Sequence, residues 1–135
     1  MQTANTHHAV SARLCGTPRL LAKGGAEVDL ETVDEMRADD SGLVHGGFVF
    51  GLADYAAMLA INEPNVVLGS AEMRFLSPVV VGERLHATAR LLGVEGKRHR
   101  VEVHVNRRDE RVFEGTFVCF VPPQHVLDKR AGGNS

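Results

Sequence analysis

Tryptophan is absent, and a single tyrosine with six phenylalanines holds the aromatic content to 5%. The chain therefore lacks the stacking platform that nucleic-acid binders use. It also lacks a charge excess: 15 Lys and Arg stand against 17 Asp and Glu, a formal net charge of -2, so no broad field attracts a phosphate backbone. Nucleic acid is not an expected partner. Cysteine is scarce too. Cys15 and Cys119 lie far apart, form no CxxC pair and follow no secretory segment, which fits two free thiols in a reducing, cytoplasmic setting. The start Met1-Gln2-Thr3-Ala4-Asn5-Thr6-His7-His8 has neither the basic residues nor the apolar run of a signal peptide. No stretch approaches the roughly 20 apolar residues of a membrane span, so a soluble protein without a membrane partner is expected. The histidines are scattered apart from His7-His8, and no metal-ligand spacing emerges; no metal site is expected.

What is present is the composition of one globular domain. Apolar residues make up 44% and charged residues 24% of 135, enough for one core and too few residues for two ordinary domains. A site that needs two domains must borrow from another copy. Residues 1–19 show no sustained period and are read as a flexible or loosely docked arm, residues 20–128 as the folded domain, and residues 129–135 as a small, polar tail.

Within the domain, Ala26, Val28 and Leu30 alternate with Glu27, Asp29 and Glu31, the period of a half-buried strand. Residues 38–42 read as loop. Gly46-Gly47 then opens a run rich in Ala, Leu and Met that predicts a helix over residues 48–62, stopped by Pro64, which disfavours helical geometry in the residue before it. Four strand-like stretches follow at about 66–76, 83–94, 98–107 and 111–121, the last three as a meander. Val101, Val103 and Val105 alternate with Arg100, Glu102 and His104, so one sheet face is buried and the other wet. One apolar helix is left to cover one curved antiparallel sheet, an α+β arrangement.

The stretch His45-Gly46-Gly47-Phe48-Val49-Phe50-Gly51-Leu52-Ala53-Asp54 carries the chemistry. The first N–H groups of a helix have no internal partner and sit at the positive end of its dipole, so they can receive an oxyanion; Gly47 is the best donor candidate. Gly47, Gly51, Asp54 and Met58 recur at helical spacing and share a narrow face. A carboxylate on an otherwise apolar helix is costly unless paired, solvated or functional. Asp54 is thus an exposed helix residue, a side chain bonded to a neighbouring backbone group, or a reactive group, and His45 either a structural hydrogen-bonding group or part of the same site.

The pattern His45-Gly46-Gly47, Phe50, Leu52-Ala53-Asp54, continued by Ala71-Glu72-Met73-Arg74-Phe75-Leu76-Ser77-Pro78 and Val81-Gly82-Glu83-Arg84-Leu85, resembles the hotdog-fold thioesterases of the phenylacetyl-CoA and hydroxybenzoyl-CoA type. The resemblance covers about residues 26–121. It implies a hotdog fold, one curved antiparallel sheet wrapped around a central helix, in a homodimer or homotetramer. It also implies hydrolysis of an acyl-CoA or acyl-carrier thioester, with Asp54 as nucleophile or general base, Gly47 N–H holding the carbonyl, and His45 orienting the helix start or touching the thioester. Coenzyme A enters as part of the substrate, and no separate cofactor is implied. Gly46 belongs to the substrate-binding set. Two positions depart from the pattern: Asp39 stands where relatives often carry Asn or Gln, and Met58 where many have Ser or Thr. Both are candidate substrate contacts.

The basic run Lys97-Arg98-His99-Arg100 reads as a charged sheet edge that discourages edge pairing, or as a phosphate contact for the nucleotide end of CoA through Arg98 and Arg100. Beside the enzyme stands a second reading, a non-catalytic acyl-CoA-binding hotdog module resembling the ligand-sensing domain of lipid-responsive regulators. A dehydratase of the same fold would need an acid–His pattern that is not evident here.

Overall fold

Alternation and composition explain the architecture of this chain, a computed structural model that describes residues 1–128; the expected tail at 129–135 lies outside the described residues. Val101, Val103 and Val105 are buried on the inner face of their strand while Arg100, Glu102 and His104 face outward, the period of two that a one-sided sheet requires. The elements run α1 (Ala12–Cys15), β1 (Thr17–Ala22), β2 (Gly25–Glu31), a 3-10 turn at Asp34–Met36, α2 (Gly46–Ile61), β3 (Val67–Phe75), β4 (Arg84–Glu95), β5 (Arg98–Arg107) and β6 (Glu110–Phe120). The strands form one antiparallel sheet in the order β1-β2-β4-β5-β6-β3. β4, β5 and β6 are the expected meander, and Gly96 takes a left-handed φ of 60° in the hairpin between β4 and β5.

The sheet wraps α2. Val49, Leu52, Ala53, Ala56, Ala57, Leu59 and Ala60 are buried on it, facing inward side chains such as Val28, Leu85, Val103, Phe113 and Phe117. The alanines let the strands come close. The two phenylalanines, wholly buried, supply on the order of 2–3 kcal/mol each by leaving water. Helix α2 begins two residues before the expected start, because the His45 side chain caps it, and ends at Asn62, whose left-handed φ of 56° closes it.

Three expectations change. The sheet has six strands, not five, since β1 precedes the strand expected at 26–32. It is invisible as a period because it is an edge strand with one fully buried residue, Leu21. β1 also crosses the boundary drawn at residue 19, and the segment before it is docked: Gln2 N–H donates to Leu21 O at 2.9 Å, and Thr6 is 4% exposed. Helical spacing places Met58 on the Asp54 face, yet it is 1% exposed and belongs to the core. A helix surrounded by a curved sheet buries more than one stripe, so spacing alone assigns too wide a free face. Among the described residues no helix is long and apolar enough to cross a membrane.

Candidate active site

Asp54 lies two turns into α2 and is partly buried. Its Oδ1 is buried and has no hydrogen-bond partner. Burial pushes the carboxyl up from its ordinary 3.8 to about 6, as expected when the charged form loses water. The two thiols are close enough to feel it. Burial first, and the Asp54 charge second, raise Cys15, and the same two causes push Cys119 up to about 12. The carboxylate therefore sits among groups that stay neutral near pH 7.

At three and seven residues before Asp54 the helix has glycine, Gly51 and Gly47. A Cβ on Gly51 would meet nothing within 4 Å, whereas one on Gly47 would lie 2.9 Å from His45 Nδ1, so the open space on this face lies over Gly51, one turn before the acid. The helix start is built by His45, whose Nδ1 accepts the N–H of Gly47 at 2.8 Å. This satisfies one of the orphan donors of the first turn. It also fixes the neutral tautomer, since Nδ1 is the acceptor and Nε2 carries the proton. The N–H assigned to the oxyanion is thus occupied by an exposed side chain in this conformation. Helix geometry adds a second constraint: seven residues at about 1.5 Å each separate Gly47 from Asp54 by roughly 10 Å. One carbonyl cannot touch both within one subunit.

Gly46 floors a different space, an apolar cleft of about 310 Å³ lined by Val44, Val49, Phe75, Leu76, Val79 and Val112 among others. An added Cβ there would lie 3.3 Å from Phe75 Cε1. Phe75 is 54% exposed, with Leu43, Leu76 and Val80 also exposed nearby in the fold. Sequence reasoning does not single out this apolar patch beside the helix start, because its members come from three separate segments.

The remaining candidates scatter. Asp39 is exposed and its Oδ1 accepts the N–H groups of Ser41 and Leu43 at 2.9 and 3.2 Å, which closes its own loop. Arg98 and Arg100 are exposed on the outer face of β5, opposite the helix; within one subunit the sheet stands between them and Asp54. A larger hollow of about 580 Å³ on that outer face is lined by Glu72, Arg74, Glu102, His104, Arg111 and Glu114, and the pairs Arg90–Glu102 and Arg111–Glu114 use part of its charge. It does not reach Asp54. Also outward, His86 meets Asp29 through Nδ1 and Glu27 through Nε2. Burial opposes its charge, but the two carboxylates outweigh that and raise its pKa. Among the described residues no cluster has the make-up of a metal site.

Known proteins place this arrangement. A model of the thioesterase superfamily matches residues 41–114, the span from the loop before α2 into the first half of β6. Among curated relatives, the methylthioribose-1-phosphate isomerase of Aquifex aeolicus (strain VF5) is 49% identical over 112 residues, which is 83% of this chain and 25% of that protein. The transcription factor FapR of Thermoanaerobacter sp. (strain X514) is 29% identical over 111 residues, 82% of this chain and 55% of that protein. The chain thus spans a quarter to about half the length of these relatives. An uncharacterized protein from Pyrococcus horikoshii superposes with a TM-score of 0.93 at 57% identity, covering 94% of this chain and 98% of that one. A variant of the phenylacetic acid degradation protein PaaI from Thermus thermophilus superposes with a TM-score of 0.74 at 30% identity, covering 81% and 95%. With the six-stranded sheet, the enclosed helix and a family match over more than half its length, the chain belongs to the thioesterase superfamily and has the hotdog fold.

Proposed function

We propose that the protein hydrolyses an acyl-CoA or acyl-carrier thioester to the free acid and the thiol. The observation that carries this reading is Asp54: a half-buried carboxylate with an unpartnered oxygen, raised to about 6, one turn beyond the open space over Gly51. A carboxylate of that basicity is still mainly ionised at pH 7 and takes a proton from water more readily than an ordinary one. Water then adds to the thioester carbonyl, Asp54 holds the proton, the C–S bond breaks, and the proton passes to the departing thiolate. The similarity to PaaI, named for phenylacetic acid degradation, supports a small-molecule thioester.

The oxyanion goes to the helix start. Gly47 N–H becomes available when the exposed His45 ring swings away, at the expense of one hydrogen bond worth about 0.5–1.5 kcal/mol; the ring can then face the thioester. Because roughly 10 Å separates the two groups along one helix, the working site pairs the Gly47 of one subunit with the Asp54 of another. The reading therefore requires at least a homodimer. β3 is an edge of the sheet with exposed backbone and the apolar Phe75–Leu76 patch at its end, which supports pairing there. Arg98 and Arg100 meet CoA phosphates only across a subunit boundary, and cytoplasmic residence remains part of this proposal.

The isomerase activity of the Aquifex relative is not carried over, because the chain spans a quarter of that protein. The FapR match supports a second reading, a non-catalytic acyl-CoA-binding module. A panel of acyl-CoA thioesters offered to purified protein with a thiol-trapping reagent separates the two: thiol release supports the hydrolase, and binding without release supports the module.

A further inference from the structure

The first sixteen residues are laid across α2. The Asn62 side chain holds them from both sides, its Oδ1 accepting Asn5 N–H at 2.7 Å and its Nδ2 donating to Thr3 O at 2.9 Å. Farther along, Arg13 forms an ion pair with Glu35 of the 3-10 turn. Between these anchors α1, capped by Ser11, packs on α2 and β2. Gly16 sets its distance: with φ at 110°, a Cβ there would lie 2.7 Å from Val28 Cγ1 and 3.0 Å from Leu52 Cδ1. Leu52 is two residues from Asp54, and Cys15 is near enough that the carboxylate acts on its thiol.

We infer that this N-terminal segment is a positioning element for Asp54: anchored by Asn62, it shuts water off from one side of the carboxyl and leaves the open space over Gly51 as the approach. Its effect on hydrolysis rests on the proposed function, while its effect on the carboxyl does not. The surroundings of Asp54 agree with water exclusion as the cause. The titratable groups there are Cys15 from α1, Tyr55 beside it on α2 and Cys119 from β6; on β5, His99 stands in register with Cys119 and turns a ring nitrogen to Lys97 O. The inward core residues of β1, β2, β3 and β4, such as Leu21, Val28, Ala71 and Ala87, are apolar. Among the described residues Asp54 has no counter-charge bonded to it, and burial is what raises it.

Asn62→Gly is the direct test, because glycine accepts the left-handed φ of the helix cap while both anchoring bonds disappear. Gly16→Ala attacks the other end, where a Cβ has no room. For each folded variant, hydrogen exchange over residues 2–16 reports release, and carbon NMR of labelled aspartate reports the Asp54 titration. Release should speed exchange in that segment and move the Asp54 midpoint down from about 6 by roughly one pH unit or more as water returns. The acidic limb of kcat/KM should move with it. A freed segment with an unmoved midpoint overturns the inference, and so does a segment that stays protected in both variants. Should the wild type release no thiol from any thioester, the proposed function fails, but the carboxyl titration still decides the role of the segment.

Discussion

Replacing Asp54 by asparagine removes a charge from a site that disfavours it, and the same change removes the base that hydrolysis needs. The carboxyl rises from 3.8 to about 6 on folding, so between these values the native state binds a proton that the unfolded chain releases. A raised folded value means stability that is complete below 3.8 and lost as pH rises through about 6. At pH 7 to 8 the wild type therefore carries the strain. Two units at about 1.4 kcal/mol each set an upper bound near 3 kcal/mol, and solvent on the open side of the carboxyl reduces this to about 1–2 kcal/mol. The amide keeps the size and polarity and drops only the charge. Asp54→Asn should thus melt roughly 4–8 °C higher than wild type at pH 8, gain almost nothing at pH 4, and hydrolyse its best thioester at least about 10²-fold more slowly. Thermal melts across pH and initial rates by thiol trapping measure both. A gain of equal size at pH 4 would falsify the electrostatic argument, and hydrolysis at the wild-type rate would assign Asp54 a structural role.

Three further outcomes are expected. Mixed oligomers made from inactive Asp54→Asn subunits and inactive Gly47→Pro subunits should recover part of the thioesterase activity, since one of the two composite sites is then intact; no recovery, or a monomer in sedimentation at micromolar concentration, sinks the shared site. His86→Gln should lower stability most below pH 6.5, because a folded pKa raised by Asp29 and Glu27 gives stability that is present below the unfolded value and lost as pH rises through the folded one; denaturant midpoints that differ equally at pH 5.5 and 9.5 would contradict this. Removing both Arg98 and Arg100 side chains should raise KM for CoA thioesters with little change in kcat and weaken the salt dependence, whereas an unchanged KM assigns them to the solvated sheet face.

The order of β2, α2 and the four strands that follow was legible from sequence because each is announced locally. Alternating valines mark β5, the Ala-rich run after Gly46-Gly47 marks α2, and Pro64 marks its end. The class of the chemistry was legible in one place, since a lone carboxylate in an apolar helix behind two glycines is a local anomaly. β1 escaped because an edge strand with one buried residue has no period to read, and the anchors of the N-terminal arm, Asn62 and Glu35, escaped because they lie far along the chain. Spacing puts Met58 beside Asp54, but the curved sheet reaches around the helix and takes Met58 into the core. Likewise, period two sends Arg98 and Arg100 outward, yet only the sheet order shows that outward means away from the acid. Sequence alone therefore determined the elements and the anomalous acid, which depend on neighbours within a few residues. The tertiary structure decided which face of α2 stays open, which oxygen of Asp54 loses water and which donor His45 occupies, because burial and hydrogen bonding are set by groups brought together from distant parts of the chain.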